Sequence, residues 1–191
     1  MIRGMNRTVE EAFKPPEAVS TVRKRNRLPL MEYKGAKAYS LTLATAQRQP
    51  WFADETITEH CLGVLKDTAE AYQFEVYAFC FMPDHLHLLV GSEEHDLIDF
   101  VKRFKQKTGW WFSNRYFGAG GLQASPTGSS GLWQRSYYDH VVRSDENLRA
   151  AAEYILANPV QAGLSDEAGK YRFAGSLVWP DIYPVEVTNG S

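Results

Sequence analysis

The sequence predicts an α+β protein on the ferredoxin-like, split βαβ plan: an antiparallel sheet of four to five strands with helices packed on one face. Three observations carry this. Segments of period two and of period 3.6 follow one another in the order β-α-β-β-α-β-α. The two middle strands are separated only by "MPD" (82–84), whose Pro and Asp are turn formers, so they read as a hairpin. No internal repeat is visible in the 191 residues, a length suited to one domain with a sizeable core.

Residues 1–30 read as an irregular basic arm, interrupted by Pro15-Pro16 and Pro29. The domain proper is expected over 31–165. In "AKAYSLTLATA" (36–46), Tyr39, Leu41 and Leu43 alternate with Ser40, Thr42 and Ala44, the pattern of a strand. Residues 54–72 place Ile57, Cys61, Val64, Leu65 and Thr68 at helical spacing, with acids in the first turn. "FEVYAFCF" (74–81) is rich in aromatic and β-branched residues, and "HLHLLV" (85–90) is its hairpin partner. A second helix over 95–117 carries an apolar stripe of Leu97, Ile98, Val101, Phe104 and Trp111. The Gly/Ser-rich stretch 118–131 reads as a flexible loop. "LWQRSYYDHVVR" (132–143) has strand composition, and a last helix is expected over 144–160, stopped at Asn158-Pro159. Residues 166–191 read as a loose tail.

Composition narrows the function classes. No run of 18 apolar residues occurs, so no membrane partner is expected. Two cysteines, Cys61 and Cys80, form no C-x-x-C pattern, which fits a reducing cytoplasm and argues against a cysteine zinc site. Net charge is −2, yet seven of the 21 Lys and Arg lie in residues 1–27 and five in 102–115. Clusters of this kind can hold phosphates even in a near-neutral chain: Arg23, Lys24, Arg25 and Arg27 in the arm, and Lys102, Arg103, Lys105 and Lys107 on the second helix. The alternative for each cluster is a solvated surface.

The stretch "FMPDHLHLLV" (81–90) is the chemical focus. Side chains two apart on a strand share a face, so His85 and His87 project together while Leu86 and Leu88 point the other way. Two neutral imidazoles aimed at one spot suit a metal ion, although a polar strand face would also account for them. Asp84 could orient an imidazole or merely form the turn. On the last helix, Tyr154 and Asn158 stand one turn apart beside the buried stripe of Leu148, Ala152 and Ile155. They read either as a site or as a boundary aromatic and a helix stop. No P-loop, dinucleotide-binding, H-E-x-x-H or G-x-S-x-G motif is present.

Three blocks, "FMPDHLHLLV", "LWQRSYYDHVVRS" and "AAEYILANPVQAGL", resemble in order and spacing those of the single-tyrosine, His-hydrophobic-His insertion-sequence transposases. They are most similar to the REP-associated branch, associated with repetitive extragenic palindromes. The likeness runs from about residue 27 to 165. It implies that His85 and His87 are metal ligands, that Asn158 supplies a third, and that Tyr154 is the nucleophile. The implied cofactor is Mg²⁺ or Mn²⁺. The implied substrate is single-stranded DNA with hairpins, nicked and rejoined through a covalent phosphotyrosine by a protein expected to be monomeric. Two rival functions stay open: a non-catalytic, palindrome-binding relative, and a metal-dependent nuclease that uses water.

Overall fold

The computed structural model describes residues 37–93, 95–118, 131–142 and 145–179. The basic arm with Arg23, Lys24, Arg25 and Arg27, most of the Gly/Ser loop and the end of the tail lie outside the described residues. The chain runs β1 (Lys37–Ala44), α1 (Glu55–Ala71), β2 (Glu75–Met82), β3 (His85–Ser92), α2 (Leu97–Phe117), β4 (Tyr138–Val142), α3 (Asp145–Gln161) and β5 (Ala174–Gly175). The sheet has five strands in the order β4-β1-β3-β2-β5, every neighbouring pair antiparallel. This is the α+β, split βαβ architecture that the sequence predicts, with an added strand at the β2 edge.

The two long helices start where local chemistry caps them. Asp54 accepts hydrogen bonds from the N–H groups of Thr56 (2.8 Å) and Ile57 (3.4 Å), and Asp96 does the same for Ile98 (2.7 Å). Ile57, Cys61, Leu62 and Leu65 of α1, with Leu97, Phe100, Phe104 and Phe112 of α2, pack on the face of the sheet that carries Leu41, Leu43, Phe79, Phe81, Leu86 and Leu88. α3 covers the opposite face, where Ala151, Ala152, Ile155 and Leu156 meet Ala78, Cys80, Met82, Leu89 and Val142. The expectation of helices on one face is therefore corrected. β2 and β3 are apolar on both faces because both are covered, which is why their sequences barely alternate.

Three further differences from the sequence expectations have local causes. β4 is shorter than 132–143: only an isolated bridge, Thr45 to Trp133, precedes it. The carbonyls of Gln134 (2.5 Å) and Arg135 (3.4 Å) turn to Lys105 Nζ instead of a strand partner. Pro159 does not end α3, which continues to Gln161. A proline lacks the N–H that would bond the carbonyl four residues back. Asn158 Nδ2 supplies that bond, donating to Ile155 O at 3.2 Å as well as to Tyr154 O at 2.8 Å. The helix stops instead at Gly163 (φ 69°), where Leu164 N bonds Pro159 O (2.7 Å) and Gly163 N bonds Val160 O (3.0 Å), a Schellman closure. Finally, part of the tail is not loose: Phe173, Ala174 and Ser176 are buried, and Arg172 pairs with Glu55 and Glu59 of α1.

Trp111 is half-buried and stacks on His60 with ring centroids 3.9 Å apart, whereas Trp110 is 66 % exposed. Among the described residues no helix is long and apolar enough to cross a membrane. Cys61 and Cys80 have no exposed surface and sit on opposite sides of the sheet. Burial pushes both thiols up, Cys80 to about 12. Neither should react with a thiol reagent in the native protein, and both should titrate in guanidinium; a fast native thiol would contradict this packing.

Candidate active site

The site starts from the turn between β2 and β3, which is gripped from outside. Thr45 donates from its N–H (2.9 Å) and its hydroxyl (2.9 Å) to Asp84 O, and Phe52 N donates to Pro83 O (2.9 Å). The gripping segment reaches this position through two consecutive left-handed residues, Gln47 and Arg48, both with φ 55°. Left-handed non-glycine residues cost on the order of 1–3 kcal/mol each. The backbone turn there is closed by Arg48 N to Thr45 O (3.1 Å) and Gln49 N to Ala46 O (3.1 Å), and the Thr45 hydroxyl also reaches Gln49 O (2.7 Å). The result is that Arg48 Nη1 donates to Asp84 Oδ2 at 3.2 Å. That pair is half-exposed, worth about 0–1 kcal/mol, and so does not by itself offset the strain.

The other Asp84 oxygen meets His85 Nδ1 at 2.6 Å. A carboxylate on Nδ1 keeps the proton there and leaves the Nε2 lone pair facing outward. Thr42 Oγ1 lies 3.3 Å from His87 Nδ1 and orients the second ring. His85 Nε2 and His87 Nε2 then face each other at 3.0 Å. Two acceptors this close need a proton on one of them or a cation between them. Two ligands at adjacent corners of an octahedron with bonds of about 2.1 Å stand roughly 3 Å apart, so the pair fits a Mg²⁺- or Mn²⁺-sized ion. Among the described residues no group of three His, Cys, Asp or Glu could complete such a site, so further ligands would have to be of another kind.

Protonation favours this role. Burial, the neighbouring His85 and the Arg48 charge together lower His87 from 6.5 to about 3, against a smaller opposing effect of Asp84. Burial alone would raise Asp84, but its bonds to His85 and Arg48 outweigh that and hold it below the usual carboxylate range. His87 therefore stays a neutral donor through the neutral and mildly acid range. The unfolded chain takes up a proton on this imidazole as pH falls through 6.5 while the native state does not, so stability is lost on the acid side. His60, lowered chiefly by burial, adds to the same loss. Urea midpoints in chelator should fall between pH 7 and 5, and His87→Gln should flatten the fall; an equal fall would contradict a neutral native His87.

Strand register shows what shares this face. Thr42 pairs with His87 on one side and with Tyr138 on the other, and Ser40 pairs with His140. Tyr138 is 50 % exposed, and His140 is exposed as well. Tyr137 is buried, as expected for two successive tyrosines at a strand. α3 lies on this same face and carries half-buried Tyr154 and Asn158. The Asn158 amide nitrogen is spent on its own helix, and its Oδ1 has no partner among the described residues. An amide oxygen is the kind of hard donor that Mg²⁺ and Mn²⁺ accept.

The α2 basic cluster is not brought to the histidines, since α2 packs on the opposite face. Lys102 and Lys107 are exposed, Arg103 Nε donates to Tyr72 OH (3.0 Å), and Lys105 is occupied with the 134–135 carbonyls. Lys102, Lys105 and Arg135 rim a cleft of about 450 Å³ between α2 and residues 131–137. Trp133 Nε1 bonds Thr108 Oγ1 (2.8 Å) and anchors that segment to α2. Arg48 is the site residue that sequence reading missed. It lies in "TAQRQPW", which has no period and no motif, and only its left-handed backbone aims it at Asp84.

Comparison with known proteins identifies the family and the fold. Residues 34–158 match the sequence profile of the family described as "Transposase IS200 like". A Haemophilus influenzae protein assigned as a REP-associated tyrosine transposase is 29 % identical over 158 residues, covering 76 % of this chain and 84 % of its own. A REP-associated tyrosine transposase of Escherichia coli K12 is 26 % identical over 115 residues, covering 59 % of this chain and 62 % of its own. Among solved structures, a REP-associated tyrosine transposase bound to a REP hairpin shares the fold, with a TM-score of 0.58 over 91 % of this chain and 92 % of that one at 16 % identity.

Proposed function

We propose that this chain, which belongs to the IS200-like transposase family, nicks and rejoins single-stranded DNA beside palindromic hairpins through a covalent bond to Tyr154. The observation that carries the reading is the pair of imidazoles with their Nε2 atoms 3.0 Å apart, on the sheet face that α3 covers.

His85, His87 and Asn158 Oδ1 would hold the ion, Mg²⁺ or Mn²⁺. When bound, it offsets charge on the phosphate oxygens and orients the scissile group. The remaining chemistry belongs to the chain. The Tyr154 phenol, with a reference pKa of about 10, gives up its proton and its oxygen attacks phosphorus. A P–O bond to tyrosine forms, one P–O bond of the DNA strand breaks, and the departing DNA oxygen takes a proton. Because the phosphotyrosine keeps a phosphodiester, a DNA hydroxyl can reverse the step and join new ends without an energy source, in agreement with the missing P-loop.

Exposed Lys102, Arg103 and Lys107 on α2 and Arg23, Lys24, Arg25 and Arg27 of the arm would position the strand through its phosphates rather than read its bases. Lys105 contributes by holding residues 134–135 in place. The protein would act in the cytoplasm as a monomer. The test is a denaturing gel with palindromic hairpin oligonucleotides carrying single-stranded flanks, with and without Mn²⁺. A metal-dependent covalent adduct is expected. Binding without an adduct would favour a non-catalytic hairpin binder, and cleavage to free ends without an adduct would favour a hydrolytic nuclease.

A further inference from the structure

We infer that Arg48 is a phosphate-binding residue of the site, holding the DNA strand next to the histidine pair; the inference rests on the functional reading above. One carboxylate, Asp84, carries both groups: its Oδ1 holds His85 at 2.6 Å and its Oδ2 holds Arg48 Nη1 at 3.2 Å. The guanidinium is thus fixed beside the imidazole that faces His87. Only one of its five N–H donors is used, and among the described residues the other side-chain donors have no partner. The Arg48 side chain is 54 % exposed, so those donors face solvent at the edge of the site.

A purely structural role explains this arrangement poorly. The half-exposed pair with Asp84 adds little stability, yet Gln47 and Arg48 both hold a left-handed backbone that aims the side chain there. Strain of this kind concentrates where a group must be preset for a ligand. A planar guanidinium with one edge pinned and the rest open suits a tetrahedral anion, and the anion of this chemistry is a backbone phosphate. No base reading is implied, so the contact should be indifferent to sequence.

The test is equilibrium binding of a palindromic hairpin oligonucleotide with single-stranded flanks, in chelator so that no cleavage intervenes. Wild type, Arg48→Gln and Arg48→Lys are compared across salt, with thermal unfolding of each as the fold control. Arg48→Gln should bind about 5- to 10-fold more weakly, and its slope of log affinity against log salt should drop by about 0.7, the value for one phosphate on a single strand. Arg48→Lys should keep the slope. A single neutral methylphosphonate moved along the flank should weaken wild-type binding at one position where Arg48→Gln is indifferent. An unchanged slope and identical scans for wild type and Arg48→Gln would overturn the assignment while leaving the function standing. Absence of hairpin binding by wild type would overturn both.

Discussion

His85→Ala is expected to abolish nicking, with adduct yield falling roughly a hundred- to thousandfold, the several kcal/mol that an ion on the scissile phosphate contributes. The substitution removes one of two nitrogens standing 3.0 Å apart and leaves Asp84 with only Arg48. One imidazole cannot hold a hard cation that prefers oxygen and sheds water reluctantly. The fold should survive, because His85 is half-buried at the mouth of the hairpin while Leu86 and Leu88, on the other face, stay in the core. His87→Ala should match it. The double variant should be no worse than either, since the two act as one unit. The readout is adduct formed against Mn²⁺ concentration; an unchanged Mn²⁺ dependence in His85→Ala would remove the metal role.

Tyr154→Phe is expected to eliminate the adduct while leaving hairpin affinity within about twofold, because only the hydroxyl oxygen is lost and phosphate contacts set most of the affinity. The ring stays on α3, so Ile155 and Leu156 keep their packing against β2 and β3. Tyr138→Phe is the essential control. Tyr138 shares a face with His87 through their common partner Thr42 and is half-exposed, which makes it the rival that the sheet itself presents. Tyr138→Phe should keep full adduct yield. The reverse pattern, loss with Tyr138→Phe and retention with Tyr154→Phe, would move the nucleophile to β4.

The sequence displayed the hairpin and its histidines well, because a period of two is a local property and "MPD" leaves no room for anything but a turn. It displayed the length of α1 and α2 for the same reason, through apolar residues at helical spacing. What it concealed were long-range arrangements. Nothing local in α3 says that it crosses to the face opposite α1, and the proline at 159 argues for an early stop until the Asn158 amide is seen replacing the missing N–H. The tail hides β5 because a two-residue strand has no period. Arg48 was invisible because its meaning lies in two backbone angles rather than in a neighbouring residue.

The central claim, a covalent bond from this face of the sheet to DNA, is tested most directly by mass spectrometry of the adduct. Wild-type protein would be trapped on a hairpin oligonucleotide with Mn²⁺, digested with protease and nuclease, and its peptides searched for a residual nucleotide. The modification is expected on Tyr154, within the peptide that also carries Asn158. A nucleotide on Tyr138 or any other residue, or strand cleavage with no modified peptide, would contradict it.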